Sequence, residues 1–233
     1  MNSLERRVLG MLLLACPALA FAERSVVEIA REFPDGGGYH WVAGASGVKE
    51  PVTFRGETLL EACDEGSFCC GYTFAVAVRA AEERGLLADK SVEEMKRFLK
   101  LWYGAPGGDK TLVVLAAQTL GVGRATPLDE AEPGDFVQLW REGGSGHSVI
   151  FLEWVEEANQ RVGFRYRSSQ PATDGVGDRT EYFADAPDHD GRVLRDQTYA
   201  CRLLESPTIT ASETPHTADG SGTATEATPG VAP

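Results

Sequence analysis

Two adjacent cysteines, Cys69 and Cys70, stand where a Gly66-Ser67 turn gives way to an almost wholly apolar run. The run continues to Val78 without a proline and acquires charges only at Arg79, Glu82, Glu83 and Arg84, after which Gly85 supplies a stop. It is too long for an ordinary strand and reads as a helix buried on nearly all sides, with a thiol at its start. Unpaired N–H groups and the positive end of the helix dipole favour a thiolate there, and the thiolate is the nucleophile. The plainer reading makes both cysteines small core residues or disulfide halves.

A cysteine nucleophile needs a base and a group that orients the base. Histidine is the usual base because its ordinary pKa lies near neutrality. His40 follows Tyr39, His189 lies in an Asp-rich stretch and His216 in the polar C-terminal tail, whereas His147 opens an apolar strand directly after Gly144-Ser145-Gly146. That position lets its side chain point from a sheet edge towards a helix end. If the turn after this strand centres near Ala158, the residue opposite His147 lies near Ser169. Alternation places Val162, Phe164 and Tyr166 on the core face and carries Ser168 and Gln170 to the same side. Gln170, with its reach and its carbonyl oxygen, is the expected acceptor for the Nδ1–H of His147; Ser168 is the second candidate.

Other elements must hold these groups in place. Ser25–Phe33 has apolar residues at helical spacing and stops at Pro34-Asp35-Gly36. Tyr39–Leu60 is punctuated by glycine and reads as an irregular wrap around the start of the cysteine helix. Ser91-Val92-Glu93-Glu94 is a capping box, followed by Met95, Phe98, Leu99 and Trp102 on one face and Gly104 at the end. Lys110–Leu120 reads as a further helix closed by Gly121. Beyond Pro133-Gly134-Asp135 the pattern changes to strands: Phe136–Trp140, His147–Trp154 and Val162–Arg167, then a polar loop over Ser168–Asp178, then Arg179–Phe183 and Val193–Leu204. Helices followed by antiparallel strands indicate an α+β fold, a buried helix carrying the thiol packed on a small antiparallel sheet.

The chain has 233 residues, a net charge of −13 and a pI near 4.8. Such acidity argues against nucleic acid or an anionic membrane surface as the main partner. Residues 1–22 combine Arg6 and Arg7, a short apolar stretch and the small-x-small site Ala20-Phe21-Ala22, which is the pattern of a cleaved export signal with no stable membrane span. Leu13-Leu14-Ala15-Cys16 loosely resembles a lipobox and offers a lipoprotein alternative through Cys16, but Leu14 and Pro17 fit it poorly. Cys63, Cys69, Cys70 and Cys201 remain after cleavage, with no zinc-type spacing, and neither a metal nor an organic cofactor is implied. Residues 23–205 are expected to form one domain. Residues 206–233, rich in Thr, Ala, Ser, Pro and Gly, bury too little apolar surface to order and are expected to be a disordered tail.

Three segments in order resemble one family. Cys69-Cys70-Gly71-Tyr72 resembles the Cys-Ser-Gly-Phe start of the central helix in NlpC-type papain-like cysteine peptidases. Pro133-Gly134-Asp135-Phe136 is similar to their Pro-Gly-Asp turn, and Gly146-His147-Ser148-Val149-Ile150 to their histidine strand. The likeness covers about 57–182. It implies a papain-like fold with Cys69 as nucleophile, His147 as base and a polar residue on the next strand behind it. It also implies hydrolysis through a thioester of a peptide-like amide, such as bacterial cell-wall peptide. Two departures stand out: Cys70 replaces the family's serine, and Phe68 replaces the aspartate common before the nucleophile. The competing expectations are an inactive binding or scaffold module with Cys69 and Cys70 oxidised to Cys63 and Cys201, and an oxidant sensor using the vicinal pair.

Overall fold

The computed structural model describes residues 23–104 and 106–207; the expected export signal and nearly all of the expected tail lie outside the described residues. The chain is α+β. Helix α1 (Val26–Arg31) opens with a capping box between Ser25 and Glu28. Glycine strand β1 (Gly36–Gly37) and the hairpin β2 (Val52–Phe54) and β3 (Glu57–Leu60) follow. Helix α2 (Cys69–Glu83) precedes α3 (Val92–Tyr103), which has the expected capping box between Ser91 and Glu94. Helix α4 (Val113–Leu120) ends at Gly121 in the left-handed conformation. The strands are β4 (Gly123–Thr126), β5 (Phe136–Arg141), β6 (Gly146–Glu157), β7 (Gln160–Gln170), β8 (Gly175–Tyr182) and β9 (Val193–Leu203). They form one antiparallel sheet in the order β1-β8-β7-β6-β5-β9-β4.

Both faces of this sheet are buried. Helices α1, α2, α3 and α4 bury one face around Phe74, Trp102, Phe136 and Ile150. On the other face the sheet curls until Phe183 bridges Val193, closing a second core of Leu139, Phe151, Phe164, Tyr166 and Phe183. Register shifts in β6 near Leu152 and Val155 supply the coil, as bulges do by raising local twist. Sandwiching explains α2: residues Gly71–Val78 are all buried because the helix lies between α1, α3 and the sheet.

Four expectations need correction. The Tyr39–Leu60 segment is not wholly irregular, because Arg55 and Gly56, both at positive φ, turn it into the β2–β3 hairpin. The expected loop Ser168–Asp178 is mostly strand: β7 runs on to Gln170, and only residues 171–174 turn before β8 begins. Polar composition misled there, because Ser168, Ser169 and Gln170 are polar residues with buried partners. Helix α4 starts at Val113 rather than Lys110, since Thr111 instead bonds Asp109 through both its N–H and its hydroxyl. Strands β1 and β4 were not expected; at two and four residues they carry almost no periodicity.

One buried charge ties the N-terminal segment to the sheet. Arg167 on β7, 3% exposed, donates to the carbonyls of Ala30 and Phe33 and to Asp178 Oδ1 at 2.9 Å, and it also meets Asp35. Burial opposes ionisation of Asp178, but the Arg167 hydrogen bond and the charges of Arg31, Arg167 and Arg165 outweigh it and hold the carboxyl below its ordinary value. A depressed carboxylate contributes stability above its unfolded pKa and loses it as pH falls through the folded one. Arg167→Met should therefore lower unfolding stability by about 3 kcal/mol at neutral pH, as measured by urea titration. It should also flatten the loss of stability that the wild type shows on acidification through the carboxylate range.

Candidate active site

Cys69 is the first residue of α2. Its N-cap, Phe68, is extended and has no side-chain acceptor, so its ring packs edge-on against Tyr103 at 5.9 Å instead of capping the helix. The N–H groups of Cys69 and Gly71 therefore bond to no acceptor among the described residues, and that of Cys70 faces only its own sulfur. Gly71 is required here because a Cβ would collide with the Gly47 carbonyl of the strap crossing the first helical turn. Phe68 N–H donates to that same carbonyl at 3.2 Å, and Ser67 Oγ lies 2.8 Å from Ser169 Oγ on β7.

A second set of contacts fixes the helix start to β6. Thr73 Oγ1 donates back to the Cys69 carbonyl at 2.8 Å, accepts from Trp102 Nε1 at 3.1 Å and lies 3.0 Å from Ser148 Oγ. Ser148 follows His147, and its carbonyl accepts from Ser168 Oγ at 2.7 Å. Ser168 thus bonds the strand backbone next to the histidine, while Gln170 meets the imidazole itself.

His147 is 7% and Gln170 2% exposed, and Nε2 of the histidine lies 3.4 Å from Oε1 of the glutamine. The amide orientation follows from its other end, where Gln170 Nε2 donates to Thr173 Oγ1 at 2.7 Å and to the Gly177 carbonyl at 3.2 Å. With both N–H donors engaged, the oxygen must face the ring, so Nε2 carries the proton. The nitrogen meeting Gln170 is therefore Nε2, not the expected Nδ1, and Nδ1 is left for the thiol. The register explains Gln170: continuing the Ile150↔Arg167 pairing puts it opposite His147, one residue beyond the expected Ser169.

The two thiols are driven apart in acidity. Cys69 is held well below the ordinary thiol range, first by a hydrogen bond from Cys70, whose Sγ lies 3.8 Å away. Burial opposes this; the charge and hydrogen bond of His147 and the N–H of Ser148 add to it. Cys70 is pushed well above the range by the same pairing and by burial. The pairing therefore favours ionisation of Cys69 over Cys70, with Cys70 placed as the S–H donor. All four described cysteines are free, and Cys201 sits in the core, where burial pushes its thiol up to about 12.

Cys69, His147 and Gln170 open on one cleft of about 550 Å³, walled by Tyr103, Leu112, Gln138 and Trp140. Tyr39 and the 68% exposed Trp41 line its lip. Of these, Ser148 was open to detection as the neighbour of a strand-opening histidine; the aromatic wall was not, because its members come from three separate segments. His40 does not line this cleft, His189 stacks on Tyr182 at 3.9 Å, and His216 lies outside the described residues. Among the described residues no group of three or more His, Cys, Asp or Glu side chains is placed to hold a metal, and no helix is long and apolar enough to cross a membrane.

Replacing Cys70 with alanine removes the S–H donor, so the pH at which Cys69 becomes reactive towards iodoacetamide should rise. In Cys69→Ala, Cys70 should stay nearly inert at neutral pH; mass-spectrometric mapping of both thiols across a pH series reads each outcome. The chain matches no family model, no curated protein and no solved structure.

Proposed function

We propose that the protein is an exported cysteine hydrolase of the NlpC-type papain-like class, cleaving a peptide-like amide such as bacterial cell-wall peptide. The observation that carries the reading is the convergence of a helix-start thiol and a strand-start histidine, with the histidine ring held by Gln170, in one open cleft. Two of the segments resembling the family supply Cys69 and His147, alternation on the following strand supplies Gln170, and their order along the chain agrees with the α+β architecture.

In this mechanism Cys69 Sγ attacks the amide carbonyl carbon. The free N–H groups of the first turn of α2 receive the negative oxygen as it forms. The His147 imidazolium passes its proton to the leaving nitrogen, the C–N bond breaks, and a thioester remains on Cys69. His147, now neutral, takes a proton from water; the hydroxide adds to the thioester, and the acid departs as Cys69 recovers its thiolate. Gln170 Oε1 holds the ring throughout and stabilises its charged form.

Incubating the protein with purified peptidoglycan and analysing soluble fragments tests this directly. Wild type should release new muropeptides, Cys69→Ala none, and His147→Ala should be slower by about 10²- to 10⁴-fold. Gln170→Ala should retain more activity than His147→Ala, because it removes an orienting contact and not the base. Equal fragment release by wild type and Cys69→Ala would remove the nucleophile from the account.

A further inference from the structure

The catalytic cleft adjoins a second cavity of about 430 Å³, and Arg141 and Arg179 line both. Arg192, Glu181 and Asp190 complete the charged groups of that cavity. Glu181 is already committed. Arg141 grips it in bidentate fashion at 2.7 and 2.6 Å, and Tyr166 donates its hydroxyl at 2.7 Å. Arg179 reaches the same carboxylate only at 3.5 Å and leaves 41% of its side chain exposed. Arg192 is exposed and pairs with no acid among the described residues, although its backbone is fixed by bonds to Glu142 and Tyr182.

Three guanidinium groups thus face two carboxylates in the second cavity, and two face none in the catalytic cleft. The Arg141–Glu181 pair is structural, since it closes a buried contact with Tyr166, whose ring lies 5.7 Å from that of His147. Arg179 touches that closure only at its edge, and Arg192 makes no ion pair with it. With Glu181 held by Arg141, Asp190 is the one carboxylate left against Arg179 and Arg192 in the second cavity, so that cavity keeps a cation in excess, and Arg179 carries it to the catalytic cleft of a chain with a net charge of −13. A guanidinium presents paired donors that match a carboxylate, and low-dielectric walls strengthen the attraction.

We infer that Arg179 and Arg192 form an anion-recognising subsite, so that the amide attacked by Cys69 belongs to a substrate with a free carboxylate lying towards β8. The inference rests on Cys69 being the nucleophile and adds the chemistry that selects its substrate.

The test compares alkylation of Cys69 by iodoacetate, an anion, with alkylation by neutral iodoacetamide. Both reagents consume the same thiolate, so their rate ratio cancels changes in thiol acidity. Rates would be measured at one pH and low salt for wild type, Arg179→Gln, Arg192→Gln and the double variant. The double variant should lower the iodoacetate-to-iodoacetamide ratio by about threefold or more. Raising salt on the wild type should lower its ratio in the same direction as screening sets in. A ratio indifferent to the substitutions would overturn the subsite, whatever its salt dependence, while leaving the nucleophile intact. Failure of both reagents to label Cys69 would remove the nucleophile and this inference with it.

Discussion

The structure turns on how the first turn of α2 is fastened to the start of β6. Thr73, one helical turn beyond Cys69, bonds the Cys69 carbonyl, takes the indole N–H of Trp102 and meets Ser148 beside His147. A buried polar cluster of this kind is stabilising only when its members are satisfied, and it then admits a single arrangement. Trp102, fully buried, also stacks edge-on with Phe98 and Phe136, so the helix-to-strand contact is continuous with the larger core. Thiol and imidazole are thus positioned by groups that hold the domain together, and the site does not depend on a mobile loop.

That fastening also clarifies the paired cysteines. A serine in place of Cys70 would set a hydroxyl beside the Cys69 sulfur; Cys70 sets a weaker donor whose own ionisation is opposed by its hydrogen bond to Cys69, by burial and by its neighbour's charge. Phe68 leaves the helix N-terminus without a carboxylate cap, and a negative side chain there would compete with a thiolate for the same N–H groups. Phe68 and Cys70 are therefore both compatible with a charged Cys69. The acidity of the chain stops at the cleft: among the described residues no Asp or Glu lines it, while Arg141 and Arg179 do.

Much of this was legible in the residues. The continuous apolar run after Cys69 could bury only as a helix with neighbours on nearly every side, and the capping box at Ser91 begins its helix where the rule places it. Period-two alternation in β7 placed Ser168 and Gln170 on the side of Tyr166, which narrowed the orienting group to two residues. Whole-sheet closure was not legible. Phe183 meets Val193 only because β6 coils at its bulges, and nothing in either segment encodes a partner on the far edge. The run Ser168–Gln170 looked like loop because hydroxyl and amide side chains suit turns. Their partners here, Ser148, Ser67 and His147, lie 20 to 102 residues away, beyond any local pattern.

The central claim is that Cys69 is ionised at neutral pH because His147 and Cys70 hold its charge. The ultraviolet thiolate absorbance of the reduced protein, followed from acid to alkaline pH against Cys69→Ala, measures this without any substrate. The account predicts a thiolate signal already present at neutral pH, lost only on acidification and absent from the variant. A signal that first appears in the ordinary thiol range, with equal amplitude in wild type and variant, would contradict it.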